Sequence, residues 1–167
     1  HDALPIYVRA ALRVVDLAVF VVSAVDGVEV QTEKVWGYCQ EYALPRIIVV
    51  NRMDRDRAGF ARTVESLEKA FGRGVVPVAI PLGEEKGFVG VADLLANRAD
   101  LYQDDESGQF QQVDVPKETQ AAAQAALDKL VEMVAETNES LMEEFFEKGT
   151  LPHDDLVKGL HDAVRAG

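Results

Sequence analysis

Asn51, Arg52 and Asp54 carry the side chains best suited to binding chemistry in this chain, and they stand together as Asn51-Arg52-Met53-Asp54 directly after the apolar run Ile47-Ile48-Val49-Val50. An ionised Asp offers two acceptor oxygens, which suits a partner presenting two adjacent N–H donors, as the Watson-Crick edge of guanine does. Adenine would turn a lone pair toward one of those oxygens, and an unpaired buried polar group is the kind of mismatch that rejects a near-isostere by roughly 10⁴-fold or more. Asn51 supplies an amide donor and acceptor for the base edge or a neighbouring loop. The alkyl stem of Arg52 can lie over a purine face with its charge in water. Met53 is expected to point into the core. Read without a ligand, the same four residues are a strand ending in a polar turn.

The elements that must position these groups follow from pattern. A continuous Ile/Val run reads as a buried parallel strand, and ligands of open α/β sheets sit beyond the carboxyl ends of such strands. Leu17 to Val22 is a second such run, closed by Ser23-Ala24-Val25-Asp26-Gly27. A helix is expected after it, with Thr32 as a candidate cap and Val35, Trp36, Cys39 and Ala43 on one face, which makes Cys39 a core residue rather than a nucleophile. Gly59 opens another helix with Phe60, Val64, Leu67 and Phe71 on one face. Val75 to Ile80 reads as a third parallel strand, near an edge because Pro77 lacks a donor. Strand, helix, strand, helix, strand implies right-handed crossovers.

Beyond Pro81 the pattern changes. Gly83-Glu84-Glu85-Lys86-Gly87 is a turn, and short strands are expected around Phe88–Leu95 and Arg98–Tyr102, followed by a hairpin-like loop over Asp104–Gly108. A long helix starts at Pro116, with Ala123, Leu127, Leu130, Val131 and Val134 in one stripe, and two shorter helices cover about Glu139–Phe146 and His153–Ala166. The expected organisation is a parallel sheet with flanking helices over residues 7–80, and an inserted α+β subdomain with a long helix over 81–167. Residues 1–6, His1-Asp2-Ala3-Leu4-Pro5-Ile6, read as the translation of a common sequencing-adapter end and are expected to be a non-native leader. Pro5 would be costly inside a helix running through Tyr7 to Arg13.

Composition sets limits. The 167 residues are 48% hydrophobic, enough for a sizeable core, and no apolar run approaches the ~20 residues of a membrane span. No signal peptide is legible, and the single Cys39 precludes an internal disulfide and leaves the compartment open, with a cytoplasmic location the default expectation. Of the formal charge of −12, most lies in residues 103–167, which hold 15 Asp or Glu against 5 Lys or Arg. That half would repel nucleic acid phosphates and suits a basic protein partner.

Asn51-Arg52-Met53-Asp54 resembles the Asn-Lys-x-Asp guanine-specificity motif of GTPases, with Arg in the Lys position. The resemblance runs on through Val14-Val15-Asp16, Ser23 to Glu33, Pro81-Leu82-Gly83, Phe88-Val89-Gly90-Val91-Ala92-Asp93 and Ala135-Glu136-Thr137-Asn138-Glu139-Ser140-Leu141-Met142-Glu143. In that order these segments look like elongation factor G and its close paralogues, and the Phe145 to Gly149 wording leans toward a paralogue. The resemblance implies a ribosome-associated translational GTPase in which residues 7–80 are a partial P-loop GTPase-type parallel sheet with flanking helices, with guanine of GTP or GDP bound by Asn51, Arg52 and Asp54, and an acidic insert that meets a partner such as the ribosomal stalk. A release-factor or ribosome-protection type, and a non-enzymatic helical binding module, are the alternatives.

No Gly-x-x-x-x-Gly-Lys-Ser/Thr occurs in the chain. There is thus no loop of backbone N–H groups for phosphates and no hydroxyl for magnesium, which is expected only in an intact parent. The chain is expected to be incomplete at both ends, inactive in hydrolysis and a poor binder of GTP by itself. Other patterns read as chance or as surface. These are the Asp-x-x-Gly matches at Asp56–Gly59 and Asp105–Gly108, Ser23-Ala24 as a misplaced Ser-Ala motif, and His1 at the spacing of a switch histidine. His153 and His161 with their Asp neighbours read as a solvated face, as do Glu139, Glu143 and Glu147 at i, i+4, i+8. Trp36 and Tyr38 are too isolated to be base-stacking platforms. No catalytic residue and no metal ligand are assigned.

Overall fold

The computed structural model describes residues 4–103, 105 and 107–166. Residues 1–3 of the expected leader, and Asp104 and Glu106 of the expected loop, lie outside the described residues. The first helix, α1 (Leu4–Leu12), contains Pro5 in its opening turn, where a proline is tolerated because those N–H groups have no intrahelical acceptor.

Two apolar runs form a parallel pair, β1 (Ala18–Ser23) and β2 (Arg46–Asn51), in a register that sets Ala18 beside Arg46 and Ser23 beside Asn51. Their crossover is helix α2 (Val30–Glu41), which starts two residues before Thr32; Glu29, not Thr32, occupies the cap position. Ala18, Phe20, Cys39, Leu44 and Leu12 of α1 form the core on this side. Trp36 stacks on Phe71 of α3 (Phe60–Phe71), with ring centroids 4.1 Å apart. The Arg46 guanidinium lies over the same Trp36 ring, 4.6 Å from its centroid.

The strands are not buried on both sides, as a continuous apolar run would imply. Val19, Val21, Ile47 and Val49 remain 55%, 65%, 40% and 45% exposed on the face away from α2.

The third strand also departs from expectation. It is β3 (Ala79–Leu82), and it pairs antiparallel with β4 (Gly90–Asp93), not parallel with β2. Pro77 lies outside it and Pro81 inside it. Pro81 is tolerated because β3 is an outer strand of the sheet β3-β4-β5-β6, completed by β5 (Arg98–Tyr102) and β6 (Phe110–Val113). One face of this sheet packs Ile80, Leu82, Ala92 and Ala99 against Ala123 and Leu127 of α4 (Lys117–Ala135). Further along α4, Leu130, Val131 and Val134 meet Leu141 of α5 (Glu139–Lys148) and Leu156 of α6 (His153–Ala166). Asn138 caps α5 by accepting the Ser140 N–H at 2.8 Å, and Gly149, at φ 71°, ends it. Phe60 joins the two halves, since it packs both on the second-sheet core and on the cluster around Met53. Among the described residues no helix is long and apolar enough to cross a membrane.

Candidate functional site

The carboxyl ends of β1 and β2 lie side by side, so the loop after Ser23 and the loop after Asn51 meet at one rim. They are sewn together through main chain. Ala24 N–H donates to Asn51 O at 2.8 Å, and Gly59 N–H donates to Ala24 O at 3.0 Å. The Arg62 guanidinium adds a bond to Arg57 O at 2.6 Å, and the buried Thr63 hydroxyl donates to Gly59 O at 2.8 Å. The loop thus closes on the first turn of α3 rather than trailing into solvent.

Asn51, Arg52 and Asp54 all sit on this rim with exposed side chains. Asn51 Oδ1 accepts the Arg52 N–H at 2.8 Å, a local turn that orients its amide. Arg52 adopts φ 63°, a left-handed conformation unusual for a residue with a Cβ. Its Nη1 stands 3.7 Å from Asp26 Oδ2 on the neighbouring loop. Asp54 faces water, with Arg55 Nε 3.6 Å from its carboxylate and a side chain 63% exposed. Met53 turns inward, 7% exposed, against Ala24 and Ala58. One β-strand and two tight turns therefore place an amide, a guanidinium and a carboxylate at the rim while a single apolar side chain anchors the loop.

Sequence reading passed over three contributors. Asp26, on the β1 loop, accepts the Ser23 hydroxyl at 2.8 Å and faces Arg52. Glu84 and Glu85 reach the same loop from the second sheet, accepting N–H groups of Phe60 and Arg57 at 2.7 Å each. The signal available was the glycine-flanked acidic pair in Gly83-Glu84-Glu85-Lys86-Gly87, which reads as a turn but not as a turn with a target.

A cavity of about 400 Å³ lies elsewhere, between the β4–β5 turn and α4, lined by Asp93, Asp114, Gln120, Gln124 and Leu127 among others. Four of its polar side chains, Asp93, Asp114, Gln120 and Gln124, already have partners. Asp93 Oδ1 accepts the Leu95 and Ala96 N–H groups, Asp114 pairs with Arg98, and Gln124 donates to Asp128. The rim, with its exposed and differently charged side chains, is the better candidate.

A sequence profile described as the elongation factor Tu GTP binding domain matches residues 6–157. The chain belongs to that family. Its mixed α/β architecture, with a parallel strand pair and flanking helices, is that of a partial G domain. Among solved structures, a crystal structure of a protein from Thermus thermophilus is similar over 100% of this chain, with a TM-score of 0.88 and 30% sequence identity. The chain spans 24% of that protein's length, so it is similar to one part of a much longer molecule. As an elongation factor Tu-type domain, the chain places its Asn-Arg-Met-Asp turn at the carboxyl end of β2, one of the two parallel strands.

Proposed function

We propose that this chain reads guanine within the G domain of a ribosome-associated GTPase of the elongation factor G type. Asp54 accepts the two donors of the guanine edge, Asn51 contributes an amide to the base or to the loop after β1, and the stem of Arg52 lies over the purine face. The observation that carries this reading is the family match over residues 6–157, which spans a turn whose carboxylate is exposed at the strand ends. In the parent, GTP hydrolysis would drive a ribosomal step such as translocation. Magnesium would be held with the phosphates, by groups other than these residues, because the chain carries no phosphate loop to present a hydroxyl.

The acidic second half supports a basic partner, and the ribosomal stalk fits that chemistry. A translation factor of this kind would work in the cytoplasm. The segments Pro81-Leu82-Gly83 and Phe88 to Asp93, which fall in β3, its turn and β4, favour an elongation factor G-like parent. The open valine face of β1 and β2 supports a parent in which further elements complete the sheet.

The deciding measurement is binding of fluorescent (mant) GDP and ADP to a version extended upstream through a phosphate loop. Guanine preference that is lost on Asp54→Ala is the expected result. Equal affinity for the two nucleotides, or no effect of Asp54→Ala, defeats the reading.

A further inference from the structure

The turn between β3 and β4 belongs to the second sheet, yet its polar groups are directed at the loop after β2. Gly83, at φ 78°, makes the turn possible, because a Cβ there would collide with the Gly87 carbonyl. Glu85 follows in the left-handed region at φ 55°. In this conformation its N–H donates to Met53 O at 2.8 Å, while its carboxylate accepts the Arg57 N–H at 2.7 Å. Glu84 accepts the Phe60 N–H at 2.7 Å. That last bond serves the first turn of α3, whose cap position is Gly59 and has no side chain to offer.

Three bonds from one turn therefore bracket Asp54 on both sides. At the ends of this stretch, Arg52, next to the bonded Met53, and Arg57, itself bonded to Glu85, hold φ of 63° and 66°. Conformations of this kind persist in non-glycine residues only where the surroundings over-determine them.

We propose that Glu84 and Glu85 are positioning residues for base recognition, fixing the loop that carries Asp54 from outside the parallel sheet. This rests on the assignment of Asn51 and Asp54 to guanine. It also makes the second sheet a mechanical neighbour of the base site, since anything that shifts β3 or β4 shifts the acceptors on which that loop hangs.

Two arms test it. In the chain itself, residue-resolved amide hydrogen exchange should show Arg57 and Phe60 exchanging roughly tenfold faster or more in an E84A/E85A double variant. Amides of α4 and α5 should be unaltered, and E84Q/E85Q, which keeps the acceptors, should restore protection. Unchanged exchange at both amides overturns the clamp whatever the fate of the guanine reading.

In the version extended through a phosphate loop, the GDP over IDP affinity ratio should fall about tenfold in E84A/E85A and recover in E84Q/E85Q, because IDP lacks the exocyclic amine. Faster exchange with an unaltered ratio overturns the positioning role. An Asp54→Ala variant with the wild-type ratio defeats the base assignment, and the positioning role with it, leaving the clamp as measured by exchange.

Discussion

Arg52 Nη1 stands 3.7 Å from Asp26 Oδ2, and the same Asp26 oxygen accepts the Ser23 hydroxyl, so the loop after β2 leans on the loop after β1. Both charged side chains are largely in water, 62% and 49% exposed. Pairs of this kind are worth roughly 0–1 kcal/mol and are screened by salt. Asp26→Ala is therefore expected to lower stability in urea titration by no more than about 0.5 kcal/mol, with the difference from wild type shrinking as salt is added. A loss well above that, insensitive to salt, would mean that Asp26 acts through Ser23 and the turn rather than through Arg52.

Thr63 is a buried polar residue whose bond to Gly59 O is not the sole contact of that oxygen, since the Thr63 N–H also donates there at 3.1 Å. Ala24 O, the second acceptor near the hydroxyl, is also served by the Gly59 N–H. Removing the hydroxyl thus orphans no carbonyl. Thr63→Val is expected to lower stability by about 1 kcal/mol or less in urea titration, whereas Thr63→Ala, which also leaves a void, lowers it further. A loss above about 2 kcal/mol in Thr63→Val would show that the hydroxyl alone sets the loop.

The legible parts of the fold were those fixed by local pattern. Two continuous apolar runs, the Gly59 start of α3, and the apolar stripe from Ala123 to Val134 each declare an element without reference to the rest of the chain. Helix ends marked by Gly149 and Pro152 were legible for the same reason. What misled was pairing. Val75 to Ile80 reads as a strand, but no local feature says that the strand begins at Ala79 and turns antiparallel onto Gly90–Asp93. The site divided in the same way. Asn51, Arg52 and Asp54 are contiguous, so type and spacing disclose them. Asp26 and Glu84 act across distances of 26 and 24 residues in sequence from their partners, Arg52 and Phe60, and only the fold reveals those contacts.

Cys39 has no exposed surface, and burial pushes its thiol up from the ordinary value of 9.0, with nearby Arg46 pulling the other way. A raised folded-state value favours the protonated thiol. The corresponding stability is fully present below the unfolded-state value near 9.0 and is lost as pH rises from there through the folded value. Wild type should therefore lose stability above about pH 9 more steeply than Cys39→Ala, which carries no thiol to ionise. Parallel pH slopes for the two proteins in urea titrations would show that ionisation of Cys39 is not linked to unfolding. At pH 7 the same burial predicts that thiol labelling follows unfolding and not the native state.

Val21 and Val49 are direct register partners on the open face of the parallel pair, 65% and 45% exposed, while Phe20, one residue away on the covered face, is 8% exposed. Parallel sheets are ordinarily covered on both faces, and a contiguous valine and isoleucine surface marks a contact site. In the chain alone, Val21→Thr and Val49→Thr should each change stability by less than about 0.5 kcal/mol, because no packing is lost and the β-branch is kept. Phe20→Ala should remove roughly 3–5 kcal/mol. The two threonine substitutions should also lower binding of a hydrophobic dye by the chain. In a version extended to complete the sheet, the same threonines would bury a hydroxyl against apolar neighbours, and each should then lower stability by about 1–3 kcal/mol. Context dependence of this size is what a face awaiting the rest of a G domain requires, and equally small effects in both contexts would show that the face stays in water.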